Sequence, residues 1–290
     1  MRVCKFGGSS LAFADGFRRA AQIMLDLPER RIMVVSAPGK HSGQGDKITD
    51  VLFGIAQKNA LHRNFSKEKD RLASRLHDIE MGLLHSSSIS DSLLSEFEKR
   101  LNSGKPYLVS IGEEFSCNVM VEYLKMRGVS TGVFDPVYLP VELNGRGIPH
   151  VPASAYPTIK EMLSGMLEKY AVVCAPGFFG TDAQGKRQLF ARGGSDYTAV
   201  VLAVVMGAEC CEKFTDVDGV MDINPKVSSD AQVIPFLTHD AFLEIVRNTR
   251  SSIFQLDALK LAKEKKLTIR IANSFNPNAD GTIVRSETSK

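Results

Sequence analysis

Short apolar runs alternate with longer segments in which apolar residues recur at helical spacing along most of the chain. The short runs predict strands at residues 3–6, 31–36, 106–111, 129–134, 171–175, 210–215 and 267–272. The periodic segments predict helices at 48–57, 115–127, 199–206, 239–248 and 255–265, with two more between 58 and 104. This alternation is typical of an α/β fold with a mainly parallel sheet and helices on both faces. We expect a single domain over residues 1–290, because no repeat, low-complexity tract or linker interrupts the pattern.

Ligands of such sheets bind at the carboxyl ends of the strands. The candidate site segments are therefore those that follow the predicted strands, at residues 7–10, 36–49, 112–114, 177–180, 192–196 and 215–226. Two of these segments are rich in glycine, and each has its own cation, Lys5 or Arg192.

Residues 192–198 read Arg-Gly-Gly-Ser-Asp-Tyr-Thr and lead into the apolar run of a predicted helix. A helix start presents free N–H groups and a positive dipole end, so it suits an anion, and two glycines allow close approach to the main chain. Arg192 offers a planar fork for a carboxylate or a phosphate. Asp196 would repel an anion, so we expect it to orient a metal-bound phosphate, an ammonium group or a lysine. A tight turn capped by Ser195 or Asp196 explains the heptapeptide alone equally well.

The chain opens with a second glycine-rich segment, in which residues 3–6 predict a strand that runs into Gly7-Gly8. Lys5 lies just before the bend, where a flexible point charge could reach a phosphate. The segment is neither a Walker A loop nor a Gly-x-Gly-x-x-Gly loop. An ordinary turn from strand to helix is the simpler interpretation of this segment alone, but two such loops in one chain favour an anion site.

The bulk composition is that of an ordinary globular protein, with 290 residues, 43% hydrophobic and 24% charged, and a net charge of +3. That charge is too small to indicate nucleic acid or a membrane surface as a partner. The longest near-continuous apolar stretch, residues 199–208, is far shorter than the ~20 residues that cross a bilayer. No signal peptide precedes the first predicted strand, so a cytoplasmic protein is expected.

The cysteines and histidines give no sign of a metal centre. The five cysteines contain no C-x-x-C pair, so we predict reduced and buried thiols. The six histidines are scattered without ligand spacing, so no dedicated metal site is expected. Any magnesium would arrive with a nucleotide.

Several motifs, in order along the chain, resemble those of the aspartate kinases. They are residues 5–10 (KFGGSS), 34–39 (VVSAPG), 47–50 (KITD), 109–113 (VSIGE), 176–178 (PGF), 192–199 (RGGSDYTA) and 214–220 (FTDVDGV). KFGG alone is only suggestive, whereas its combination with RGGSDYT and TDVxG is highly specific. The resemblance covers nearly the whole chain and implies the three-layer α/β/α sandwich of the amino acid kinase family, with a mainly parallel central sheet.

The resemblance implies that ATP and L-aspartate react to give ADP and 4-phospho-L-aspartate, in lysine, threonine and methionine (diaminopimelate) biosynthesis. The nucleophile would be the substrate's own side-chain carboxylate, which is ionised at neutral pH, so no general base is needed. The transfer requires that two anions be aligned and their charge neutralised. Lysine, arginine, Mg²⁺ carried by the nucleotide and main-chain N–H groups supply that.

The resemblance also implies roles for individual residues. Lys5 and Asp196 are the catalytic candidates, with Asp196 orienting Lys5 or the magnesium. The residues implied for the substrate are Ser36, Thr49, Glu113, Arg192, Gly193, Gly194 and Ser195, with Arg192 on a carboxylate and Glu113 on the ammonium group. The residues implied for the nucleotide are Lys5, Gly7, Gly8, Ser9, Thr215, Asp216, Met221, Lys226 and Ser252. Outside this context Glu113 would read as an acid favoured by the dipole in the first turn of a helix.

Three features depart from the family pattern. The nucleotide loop reads Asn224-Pro225-Lys226 where many members have Asp-Pro-Arg, so the charge is kept but the guanidinium fork is lost. Ser252 stands where some members have a phosphate-contacting lysine, and Arg250 in place of glycine would either restore that cation or mark drift. The sequence ends at Lys290, where most aspartate kinases continue into ACT regulatory domains, so it is either a fragment or a kinase without built-in feedback control; for an intact chain we expect insensitivity to lysine and threonine.

Three alternatives stay open. The first is another enzyme of the amino acid kinase family, such as a uridylate or acetylglutamate kinase, although Glu113 and Arg192 favour an amino-acid dicarboxylate. The second is a kinase for an aspartate analogue. The third is a non-catalytic kinase-like subunit, which the presence of Lys5, Arg192 and Asp196 disfavours. Family members usually form dimers or larger assemblies, so a homodimer is a further hypothesis.

Overall fold

The secondary structure is defined by a computed structural model that describes residues 1–40, 42–223, 231–249 and 253–286. The strands in these ranges are β1 (Arg2–Phe6), β2 (Arg30–Val35), β3 (Thr131–Val133), β4 (Glu142–Leu143), β5 (Pro149–His150), β6 (Val172–Pro176), β7 (Phe179–Thr181), β8 (Arg187–Leu189), β9 (Cys210–Thr215), β10 (Phe236–Thr238), β11 (Thr268–Asn273) and β12 (Thr282–Arg285). The α-helices are α1 (Ala14–Leu25), α2 (Ile48–Ala60), α3 (Ser66–Leu84), α4 (Ser88–Ser95), α5 (Phe97–Asn102), α6 (Lys105–Val109), α7 (Ile111–Met126), α8 (Tyr156–Lys169), α9 (Gly194–Met206), α10 (His239–Thr249) and α11 (Leu256–Glu264).

Eight of these strands form one sheet in the order β10-β12-β11-β9-β1-β2-β6-β3. Neighbouring strands run parallel except β11 and β12, which are antiparallel. The mainly parallel sheet predicted from the sequence is confirmed. Strand β1 lies near its centre, between β2 and β9, so its carboxyl end is flanked by theirs.

The alternation of side chains along each strand divides the core into two layers. In β1, Val3 packs with helices α8 to α11, whereas Cys4 and Phe6 pack with α1, α2, α3 and α7. Because both faces are covered by helices, the central strands are largely buried, as in β2, where five of six residues are buried. The result is the three-layer α/β/α sandwich that the resemblance implies. No helix in the described ranges is both long enough and apolar enough to cross a bilayer.

The strand predicted at residues 106–111 is wrong, because this segment forms helix α6 and the start of α7. Pro106 lies in the first turn of α6, where a missing N–H costs nothing. The apolar run is buried in the helical layer, and a short buried run cannot be assigned to strand or helix by periodicity alone. Consequently residues 112–114 are the first turn of α7 rather than a loop after a strand.

Other differences concern elements that are short or amphipathic. Between residues 58 and 104 the sequence predicts two helices, whereas the structure has three, α3, α4 and α5. Helix α2 also extends to Ala60. Helices α1 and α8, the edge strands β10 and β12, and the hairpins β4–β5 and β7–β8 were not predicted. The strands at 31–36, 129–134, 171–175, 210–215 and 267–272 agree with β2, β3, β6, β9 and β11 to within a few residues.

Candidate active site

A cavity of about 1390 Å³ opens at the carboxyl ends of β1, β2 and β9. It gathers most of the residues that the sequence singled out, although they are far apart in the chain. The predicted site residues on its wall are Lys5, Gly7, Gly8, Ser9, Ser36, Thr49, Glu113, Arg192, Gly193, Gly194, Ser195, Thr215 and Asp216. Asp196 lies directly behind this wall, bonded to Lys5.

Two buried lysines share one carboxylate at the floor of the cavity. Lys5 Nζ lies 2.8 Å from Asp196 Oδ1, and Lys213 Nζ lies 2.6 Å from Asp196 Oδ2. The side chains of all three residues are at most 8% exposed. The backbone N–H of Gln255 also donates to Asp196 Oδ2, at 3.1 Å.

The strand register explains why the two lysines meet. Lys5 on β1 is the register partner of Lys213 on β9, and parallel partners point to the same face of the sheet. That face is covered by α9, whose first turn carries Asp196. On the opposite face the next register pair, Phe6 and Phe214, stacks with ring centroids 4.9 Å apart.

The electrostatics of this cluster favour an anion in the cavity. Burial alone would raise the pKa of Asp196, but Lys213 and Lys5 hold it below its ordinary value. Burial is the main reason that the pKa of Lys213 is lowered to about 8. Asp196 opposes this change, whereas the nearby charge of Lys5 adds to it. Two ammonium groups against one carboxylate leave one net positive charge at the cavity floor.

The start of α9 adds backbone donors beside that charge. Gly193 has φ of +84°, a left-handed conformation that a side chain would strain, and it turns the chain into the helix. The first N–H groups of a helix have no partner within it, and the dipole makes this end positive. Gly194 and Ser195 lie on the cavity wall at this point, so the helix start faces the same space as the lysines.

The loops after β1 and β2 are packed directly on each other. Gly39 N–H donates to Gly8 O at 2.8 Å, and Gly7 N–H donates to Phe214 O at 3.0 Å. A Cβ on Gly8 would lie only 2.8 Å from the carbonyl oxygen of Ala37. The glycine therefore lets the two loops form one continuous wall, which runs from Lys5 to Ser36.

Glu113 is a buried acid on the same wall. Burial raises the pKa of this carboxyl to about 8, against the effect of backbone N–H groups at Ala37 and Glu113. Its residue is only 3% exposed, and its Oε2 has no hydrogen-bond partner. The carboxyl therefore has a buried oxygen without a partner, for which a ligand could supply a donor.

Arg192 lies at the mouth of the cavity rather than in its floor. Its side chain is 86% exposed, and its Nη2 lies 3.2 Å from Asp50 Oδ1 at the start of α2. Ser36 and Thr49, both half-buried, also lie on the cavity wall. The guanidinium is therefore free to exchange an exposed partner for a ligand's carboxylate at small cost.

Of the predicted nucleotide residues that the structure describes, Met221 does not lie on this wall. Met221 is half-buried and its backbone pairs with Val233. Lys226 and Ser252 lie outside the described residues, as do Asn224, Pro225 and Arg250.

Sequence reasoning missed Lys213 and Asp50. Lys213 could have been found as the single cation in a predicted strand that ends, as the strand containing Lys5 does, in a polar loop. No such signal distinguishes Asp50, because its partner Arg192 lies 142 residues away.

The positive charge at the cavity floor is suited to nucleotide phosphates. The described ranges contain no group of three or more His, Cys, Asp or Glu side chains that could hold a metal ion. Asp196, the acid nearest the floor, is already engaged by two lysines. Magnesium would therefore enter as the nucleotide complex, held mainly by phosphate oxygens.

Comparison with known proteins assigns the chain to a family. The model of the amino acid kinase family matches residues 1–273. The chain belongs to the amino acid kinase family. Aspartokinase 3 of Bacillus subtilis is 30% identical over 296 residues, which cover 99% of this chain and 64% of that enzyme. This member of the family thus spans less than two thirds of the length of that relative.

Solved structures give the same picture. E. coli aspartokinase III in complex with aspartate and ADP superposes with a TM-score of 0.85 at 25% identity, over 100% of this chain and 65% of that one. UMP kinase from Bacillus anthracis superposes with a TM-score of only 0.50 at 16% identity, over 100% of this chain and 97% of that one. The second match shows a shared fold and no more.

Proposed function

We propose that this family member transfers the γ-phosphate of ATP to the side-chain carboxylate of L-aspartate, giving ADP and 4-phospho-L-aspartate. The observation that carries the proposal is the buried, half-unpartnered Glu113 carboxyl on the same wall as the Lys5–Asp196–Lys213 cluster. The cluster suits phosphate, and Glu113 suits an acceptor with an ammonium group. A nucleotide acceptor such as UMP has no such group.

Different residues would bind the two anions, which are the transferring phosphate and the acceptor. Lys5, Gly7, Gly8 and the start of α9 would hold the transferring phosphate, because they offer positive charge and N–H donors. On the acceptor side, Glu113 would ionise when the α-ammonium group arrives, and Arg192 would leave Asp50 to bind a carboxylate. The attacking carboxylate needs no base, so catalysis consists of alignment and charge neutralisation.

Asp196 would act by holding the cation rather than by touching substrate. Its carboxylate fixes Lys5 Nζ at the floor before any ligand arrives. Thr215 and Asp216 would contact the nucleotide, with magnesium bound to its phosphates; Met221, Lys226 and Ser252 stay predictions for the same role. The proposal extends to the aspartate kinase step of lysine and threonine biosynthesis.

An ADP-release assay with magnesium and ATP tests the proposal. L-aspartate is compared with L-glutamate, N-acetylglutamate and UMP, and hydroxylamine traps an acyl phosphate as the hydroxamate. We expect aspartate-dependent ADP release with matching hydroxamate, lost in Lys5→Ala and in Asp196→Ala. Preference for UMP, or normal turnover in both variants, would contradict the proposal.

An aspartate analogue is the second candidate for the acceptor, and the residues that line the cavity support it. The wall of the cavity also includes Phe53 and Ala56 of α2 and Leu108 of α6. Apolar side chains there would suit an amino-acid acceptor that carries an apolar substituent. Turnover with a β-substituted aspartate but not with aspartate itself, in the same hydroxamate assay, would select this candidate.

A further inference from the structure

Lys213 has the same relation to the cavity as Lys5. The two residues are register partners on adjacent parallel strands, and both contact Asp196. They are almost equally buried, at 5% and 7% exposure, and both lie on the cavity wall. The position of Lys213 relative to Asp196 and the cavity is therefore the same as that of Lys5, to which the phosphate-binding role is assigned.

The negative charge of Asp196 does not by itself explain why two lysines are buried beside it. One ammonium group satisfies the charge of one carboxylate, and burying a second ammonium group carries a large desolvation cost. That cost is visible in the pKa of Lys213, which burial lowers to about 8. The ring of Phe254, whose centroid lies 5.1 Å from Lys213 Nζ, offsets a part of it. A multiply charged anion in the cavity would offset the remainder.

The alternative role, a bond that only fixes α9 to the sheet, explains less. Such a bond would need no access to the cavity, yet Lys213 lies on the cavity wall. A helix can be joined to a sheet by apolar packing, and α9 already has eleven buried residues. The position of Lys213 is therefore that of a ligand-facing group.

We propose that Lys213 is a second phosphate-binding lysine, which with Lys5 contacts the γ-phosphate of ATP throughout its transfer. In that step a carboxylate oxygen of the acceptor forms a bond to the γ-phosphorus. The bond to the β,γ-bridging oxygen breaks, and its electron pair leaves with ADP. Lys213 keeps its proton and neutralises charge on the phosphoryl oxygens. The inference rests on the proposed phosphoryl transfer from ATP, but it does not depend on which acceptor is used.

The test compares ATP with ADP, because only ATP carries the phosphate that Lys213 would contact. Dissociation constants for both nucleotides with magnesium are measured by calorimetry for the wild type, Lys213→Met and the control Lys125→Met. Lys125 is an exposed lysine on α7 that pairs with Glu122. We expect Lys213→Met to weaken ATP by about tenfold more than ADP and to lower kcat by about 100-fold or more. The KM for the acceptor should change by less than about threefold, and the control should match the wild type.

A double variant separates phosphate binding from neutralisation of Asp196. If Lys213 only balances that carboxylate, Asp196→Asn combined with Lys213→Met should restore the wild-type ratio of ATP to ADP affinity. The proposal requires the ratio to stay low in the double variant, and restoration of the ratio would overturn it. If Lys213→Met does not fold, Lys213→Gln takes its place: it removes the charge but keeps a polar side chain, and an unchanged ATP-to-ADP ratio and kcat there would also overturn the proposal.

The outcome is independent of the acceptor. The ratio of ATP to ADP affinity can be measured without turnover. If the wild type is inactive with aspartate, the proposed acceptor is refuted, but the affinity ratio still tests the role of Lys213. Conversely, active enzyme with equal effects of Lys213→Met on ATP and ADP would refute the role of Lys213 alone.

Discussion

Replacing Glu113 by glutamine should stabilise the ligand-free protein, and increasingly so as the pH rises. Burial raises the pKa of this carboxyl from its ordinary 4.5 to about 8, so between these values the folded state binds a proton that the unfolded state has released. The contribution of an acid with a raised pKa is greatest below pH 4.5 and falls as the pH rises towards 8. Glutamine has nearly the same shape and does not titrate, so it removes this loss.

The size of the effect follows from the pKa difference. Each pH unit inside the window changes the free energy of unfolding by about 1.4 kcal/mol. Between pH 5 and pH 7 the wild type should therefore lose about 2 to 3 kcal/mol relative to Glu113→Gln. All other titrating groups are common to the two proteins and cancel in the difference.

Urea unfolding without ligand, at pH 5, 6 and 7, measures this difference. The matched control is Glu122→Gln, which changes an exposed acid on the same helix, paired with Lys125. Its difference from the wild type should vary little with pH. A difference for Glu113→Gln that is equally constant across this range would show that Glu113 is ionised in the folded protein and would refute the reasoning.

Three further predictions follow from the same site. If an α-ammonium group ionises Glu113, the affinity for aspartate should rise by up to about tenfold per pH unit between pH 6 and 8. Calorimetry in buffers of different ionisation enthalpy would detect the proton that is released on binding. An affinity that does not depend on pH would exclude this linkage. Asp196→Ala leaves two buried ammonium groups without their acid and should lower the free energy of unfolding by about 3 to 5 kcal/mol in urea, whereas a loss below about 1 kcal/mol would mean that the lysines are solvated. Gly8→Ala places a Cβ 2.8 Å from Ala37 O and should cost about 1 to 3 kcal/mol of stability and raise the KM for ATP, so unchanged values of both would contradict the tight packing of these loops.

Local sequence patterns were enough for the fold class and for much of the site. The central strands are short apolar runs, and those of β1, β2, β6 and β9 are followed by segments that contain glycine, so these strands and β11 could be predicted. The two glycine-rich segments directly follow or adjoin strand ends, which located the Lys5 and Arg192 loops at one edge of the sheet. Segment 106–111 failed because its apolar residues are buried among helices, and burial there gives the same pattern as a central strand.

The rest of the site depends on contacts between distant parts of the chain. Lys213 becomes a site residue only through its register with Lys5, 208 positions earlier, and no local pattern encodes that pairing. The raised pKa of Glu113 likewise depends on how α7 packs against the loop after β2. Nothing in the residues around Glu113 distinguishes it from Glu114, which pairs with Arg100 and Arg187 instead.

The register between β1 and β9 has a consequence for how the site could change over evolution. The same pairing that aligns Lys5 with Lys213 also stacks Phe6 on Phe214, on the opposite face of the sheet. A shift of one residue would bury two ammonium groups among apolar helices and turn the aromatic rings towards the cavity. Selection for a stable core therefore preserves the spacing of the two cations as well, and the loops around the cavity can vary in length and sequence without altering it.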